Sequence, residues 1–172
     1  MKRILLLSDT HGHLDTAMEK YIREADEVWH AGDIGSLTLS DRIAAIKPMQ
    51  AVYGNIDGHD VREVWPEHSL YTTEGVTVLM LHIAGTPDRY NARARTLIQM
   101  HRPQLFVCGH SHILKITRDT ESGLLHINPG AAGHHGFHHE RTMVRFTLHE
   151  GKIDEVDVIT LGTRGQSTKP VS

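Results

Sequence analysis

The feature that most constrains this chain is one pattern repeated five times: a short apolar run that stops at a polar cluster rich in glycine. RILLL gives way to SDTHG, EVWHA to GDIG, MQAVY to GNIDG, VTVLML to HIAG and LFV to CGHSH. Continuous apolar runs of this length, bounded by turn residues, read as strands buried on both faces. Such strands need cover, and helical periodicity at 14–25, 39–46 and 87–101 supplies it; Pro103 cannot continue the last of these helices. Alternating strands and helices predict an α/β core with both sheet faces covered. Past Lys115 the texture turns to β. One hairpin is expected to turn near Glu121, Ser122 and Gly123, and a second, with period-2 alternation, at Glu150 and Gly151. No composition shift divides the chain, so residues 1–162 are expected to form a single domain. Residues 163–172 lack apolar periodicity and are expected to be a flexible tail.

Placing donors at the ends of strands has a chemical consequence. Parallel strands in an α/β fold deliver whatever follows them to one rim, where ligands bind. Here that rim would collect Asp9 and His11, Asp33, Asn55 and Asp57, His82, and His110 and His112. D-x-H and H-x-H set both side chains on the same side of an extended segment, as chelation requires. Carboxylate, amide and imidazole donors without a thiolate suit Mn, Fe, Ni or Zn better than Ca. Seven ligands exceed the needs of one tetrahedral ion and suit two ions sharing a carboxylate. Each residue alone has a plainer reading: an aspartate after a strand is a turn former or helix cap, and Asn55 and Asp57 sit in a turn-like GNIDG. The joint occurrence at five successive strand ends is what favours metal.

Composition narrows the partners. Among 172 residues the formal net charge is −3 and aromatic content is 5%, so neither a basic surface nor an aromatic stripe suited to nucleic acid is expected. Positive charge for a phosphate would have to be local or supplied by metal. Histidine, at 15 residues, is in excess, and it is the commonest protein metal ligand. The single cysteine, Cys108, excludes an internal disulfide and a thiolate zinc site, and is read as core packing. MKRILLL resembles the start of a signal peptide, but its apolar stretch ends at Ser8, and no run is long enough to span a bilayer. A cytoplasmic protein without membrane partners is expected. Trp29 and Trp65 are read as core by default, or else as an interface in a homo-oligomer.

The motif series itself, D-x-H (Asp9, His11), G-D (Gly32, Asp33), G-N-x-D (Gly54, Asn55, Asp57), a lone strand-end His82 and G-H-x-H (Gly109 to His112), resembles that of the calcineurin-like metallophosphoesterases. The order matches, and NPG at 128–130 with the β-rich tail is similar to the small YfcE-like phosphodiesterases. The resemblance implies a two-sheet β-sandwich flanked by helices, a four-layer αββα arrangement with a dimetal site at one edge. It implies one ion held by Asp9, His11, Asp33 and His112 and another held by Asp33, Asn55, His82 and His110, with manganese ahead of iron, nickel, zinc and magnesium. A hydroxide bridging the two ions would attack a phosphate-ester substrate. The resemblance gives Asp57 an orienting role, toward an active-site histidine or water.

Two departures matter. Many family members carry a histidine after the motif asparagine, to help protonate the leaving group; here that position is Ile56. Activated aryl esters are therefore expected to turn over faster than alkyl esters. The segment GHHGFHH at 133–139 is the second departure, read either as a polar loop that binds stray metal or as a histidine source over the site. His13, His30 and His126 are read as structural, and Arg141 as a phosphate contact only secondarily. The alternatives to a phosphodiesterase are a phosphomonoesterase on the same site and a non-catalytic interaction scaffold of the same fold, as in a eukaryotic trafficking subunit that looks like this family.

Overall fold

The computed structural model describes residues 1–165. The elements run β1 (Lys2–Leu7), α1 (Thr16–Glu24), β2 (Glu27–His30), α2 (Leu37–Ile46), β3 (Met49–Ala51), α3 (His59–Val64), β4 (His68–Thr73), β5 (Val76–Leu81), α4 (Ala92–His101), β6 (Leu105–Val107), β7 (Lys115–Arg118), β8 (Leu125–Asn128), β9 (Glu140–His149) and β10 (Lys152–Thr163). They form two five-stranded mixed sheets, ordered β10-β9-β1-β2-β3 and β4-β5-β6-β8-β7.

Alternation along β1 explains the layering. Ile4 and Leu6 point between the sheets, where they pack with Trp29, Val78, Val107 and Phe146. Leu5 and Leu7 point the other way, against Met18 and Ile22 of α1 and Ile43 of α2. On the far side of the second sheet, Leu79 and Phe106 meet Ala94 and Leu97 of α4. Side chains of period 2 on a strand with both faces covered produce this sandwich, with helices outside both sheets. Cys108, read as core packing, is buried in the layer beneath α4, one residue past the end of β6.

Both expected hairpins form, β7 with β8 and β9 with β10. The third periodic segment starts later than expected: Thr86 and Arg89 close a turn, and Asn91 caps α4 by accepting from Ala94 N at 2.8 Å. Two elements had no sequence signal, the six-residue α3 and the edge strand β4. Of the segment expected as a tail, Thr163 pairs with Glu140 in β10 and Arg164 N donates to His139 O; residues 166–172 lie outside the described residues. No described helix is long and apolar enough to cross a membrane.

Candidate metal centre

The parallel strands bring the donors together as their topology requires. β1, β2 and β3 run parallel in one sheet and β5, β6 and β8 in the other. The segments that follow β1, β2 and β3 carry Asp9 and His11, Asp33, and Asn55; those after β5 and β6 carry His82 and the His110–His112 pair. The site is therefore assembled from the same end of both sheets.

Donor atoms of Asp9, His11 and His112 lie within 4.8 Å of one another, and so do those of Asp33, His82 and His110. Asp33 joins the two groups, with Oδ2 at 3.3 Å from His82 Nε2 and 3.6 Å from His11 Nε2. Asn55 Oδ1 stands 3.2 Å from His82 Nε2 and 3.0 Å from His110 Nδ1. His112 Nε2 is 3.1 Å from Asp9 Oδ1. All seven residues proposed as ligands are thus in one constellation.

Backbone and surroundings are bent to hold it. Asp9, His11, Asp33, His110 and His112 all adopt left-handed backbone, with φ of 55°, 46°, 54°, 70° and 61°. Such conformations cost energy in non-glycine residues and gather at functional sites. At Gly54 a Cβ would overlap Asp33 Oδ1, so only glycine lets the third loop lie against that carboxylate. His82 Nδ1 donates to Ala31 O at 2.7 Å, which turns the ring so that Nε2 is aimed at the carboxylates. Ser8 Oγ and His110 N donate to Asp9 Oδ2 at 2.6 and 3.1 Å.

Burial alone would raise the Asp9 carboxyl; hydrogen bonds from His112 and Ser8 and the nearby His82 more than offset it, and hold Asp9 below the usual carboxylate range. Asp33 is lowered in the same way, burial being outweighed by His82 and by Ile56 N. Both carboxylates are ionised at neutral pH and ready to meet a cation. The buried His11 Nε2 has no hydrogen-bond partner, an imidazole nitrogen of the kind a metal ion would satisfy. The donor set, its tautomers and this orphan nitrogen fit divalent metal.

Asp57 does something the sequence did not disclose. Oδ2 accepts from Ile34 N at 3.1 Å and Gly54 N at 2.8 Å, and Oδ1 accepts from Gly35 N at 2.8 Å. Its partners are the backbones flanking Asp33 and Asn55 rather than a histidine ring. Asn128, of NPG, likewise holds the GHSH turn, donating to Gly109 O at 3.0 Å and Ser111 Oγ at 3.1 Å. Arg141 does not reach the site: it is fully buried and paired with Asp15 at 2.7 Å. His13, Asp15 and His134 form a third histidine–carboxylate group, but Arg141 already meets the Asp15 charge. The 133–139 loop lies over the centre, with the His135 ring 4.6 Å from His11 and the His138 ring 5.1 Å from His112.

Two mixed sheets between helices, with carboxylate, amide and imidazole donors at one edge, define the metallophosphoesterase class of α/β sandwich. Residues 1–151 match the family model of the calcineurin-like phosphoesterase superfamily domain, and the chain belongs to that family. It is 30% identical to a probable metallophosphoesterase of Mycoplasma pneumoniae over 138 residues, 76% of this chain and 79% of that protein. Among solved structures it resembles a novel archaeal phosphodiesterase (TM-score 0.69, 18% identity, 92% of this chain and 99% of the other). It also resembles Chaetomium thermophilum Vps29 (TM-score 0.73, 14% identity, 95% and 100%). The family implies divalent metal binding, for which the two donor groups are the candidates.

Proposed function

We propose that this protein is a metal-dependent phosphodiesterase with two divalent cations, manganese first among the candidates. Asp9, His11, Asp33 and His112 hold one, and Asp33, Asn55, His82 and His110 hold the other. The observation that supports this most directly is the division of the donors into two groups that meet at Asp33. Bound there, the cations supply positive charge for a phosphate ester and lower the pKa of water toward neutrality. The chain's own residues do the holding. Asp9 and Asp33 contribute charge, Ala31 O fixes the His82 tautomer, and Asp57 keeps the loops bearing Asp33 and Asn55 in register. Ile56 lines the cleft and offers no proton to a leaving group, so esters of good leaving groups turn over faster than alkyl esters.

The test is hydrolysis of bis(p-nitrophenyl) phosphate by chelator-stripped protein, before and after Mn²⁺ is restored, with Asp33→Ala alongside. Activity that returns in the wild type only supports the reading. Folded protein inactive with every divalent ion tried would reject it in favour of an interaction scaffold, the reading that the Vps29 likeness keeps alive.

A further inference from the structure

The candidate centre opens into a cleft of about 830 Å³ whose lining is unusual for a phosphate site. No lysine or arginine among the described residues lines it, and Glu140 adds a negative charge at its wall. Large apolar side chains line it instead, all with high exposure for their type: Ile56 at 46%, Ile113 at 67%, Leu114 at 37% and Phe137 at 99%.

The backbone on either side of Phe137 is held against the centre. At Gly136, with φ 128°, a Cβ would overlap His112 Nδ1, so the backbone there presses on one of the proposed ligands. His135 and His138 lie against His11 and His112. Phe137 stands between these residues, at the mouth of the centre, with its ring in solvent. Ile113 follows His112 directly, and Ile56 follows Asn55 directly. Apolar groups therefore flank the donors on three separate loops.

We propose that these residues form an apolar subsite for the non-leaving ester group of a phosphodiester, and that the group is uncharged and apolar or aromatic. This rests on the phosphodiesterase reading of the metal centre. Charge supports the assignment. A diester carries one negative charge, which the cations meet. A polyphosphate or a nucleic-acid strand carries further charges that need lysine or arginine partners, and none of the described residues lining the cleft is one. Chemistry supports it too: an exposed phenylalanine and branched aliphatic side chains lining one cleft gain by covering an apolar group and by stacking on an aromatic one.

The test compares phenyl p-nitrophenyl phosphate with methyl p-nitrophenyl phosphate, using the Mn²⁺-loaded protein. The leaving group is the same in both, so differences report on the other ester group. The phenyl ester should show a kcat/KM about tenfold higher, carried mainly by KM. Phe137→Ala should remove most of that preference, and Ile113→Ala part of it. Met100→Ala, which changes an exposed apolar residue on α4 outside the cleft, should leave it intact. Equal KM values for the two esters, or a preference untouched by Phe137→Ala, would overturn the proposal while leaving the phosphodiesterase reading standing. If neither ester turned over, that reading would fall, and calorimetric binding of diphenyl against dimethyl phosphate to the Zn²⁺-loaded protein would decide the subsite. Equal affinity there would reject it, and tighter binding of the diphenyl compound, lost in Phe137→Ala, would uphold it.

Discussion

The Asp57 carboxylate accepts from three backbone amides and touches none of the proposed metal donors, yet the spacing between the loops of Asp33 and Asn55 depends on it. Removing its carboxylate leaves those buried N–H groups unpaired, at a cost of about 3 kcal/mol or more. Urea unfolding of Asp57→Ala should show a loss of that size, and its metal affinity by calorimetry should fall as well; unchanged affinity would reduce Asp57 to a stabilising turn residue. The seven donors were legible in the sequence because each interrupts an apolar run at a place where a soluble strand would otherwise end in an ordinary turn. Asp57 was visible as a residue but not as a job, since two of its three partners come from a loop more than twenty positions away. Ser8 gave no signal of its own, and Asn128 stood out only as the first residue of NPG. Their hydrogen bonds to Asp9 and to the GHSH turn exist only once the two sheets are packed.

At the scale of elements, what could be read depended on burial. β1, β2, β5 and β6 are covered on both faces and stand out as apolar runs. β4 is an edge strand with polar, half-exposed residues, and α3 is too short for helical periodicity to show. The start of α4 was misplaced because the cap, not the apolar pattern, sets it; Asn91→Ala should cost about 1 kcal/mol in a thermal or urea unfolding curve. β8 carries a pH-sensitive contact. Burial lowers His126 from 6.5 to about 4, and Lys115 adds to this; its Nδ1 faces Tyr90 Oη at 2.7 Å. Burial, with a smaller push from His82, takes His30 on β2 to about 4 as well, against the pull of nearby carboxylates. Between those values and 6.5 the unfolded chain binds protons that the folded chain refuses. Stability is therefore full above pH 6.5 and declines as pH falls toward 4. Urea midpoints at pH 7 and pH 5 should differ in that direction, and the difference should shrink in His126→Gln.

For the whole molecule, the proposed metal centre would double as a clasp. Asp9, His11, Asp33 and Asn55 follow strands of one sheet, and His82, His110 and His112 follow strands of the other. A cation held by both groups binds only the assembled form, adding about 4 kcal/mol per site at a thousandfold excess over Kd. The melting temperature should rise by roughly 20 °C when both sites are refilled in chelator-treated protein, and Asp33→Ala, which removes the shared carboxylate, should abolish most of that rise. The order of strands carries one more consequence. The second sheet is contiguous, built from residues 68–128, whereas the first is split, since β1 pairs with β9 across more than 130 positions. On the ribosome, β1 emerges first and waits longest: one edge stays open until β9 has been made. A stalled or prematurely ended chain would already carry every proposed ligand by residue 112 without the strand that sets β1 in place. Possession of the ligands and possession of the site are thus separate moments in the life of this polypeptide, and metal capture would mark a chain in which β9 has joined β1.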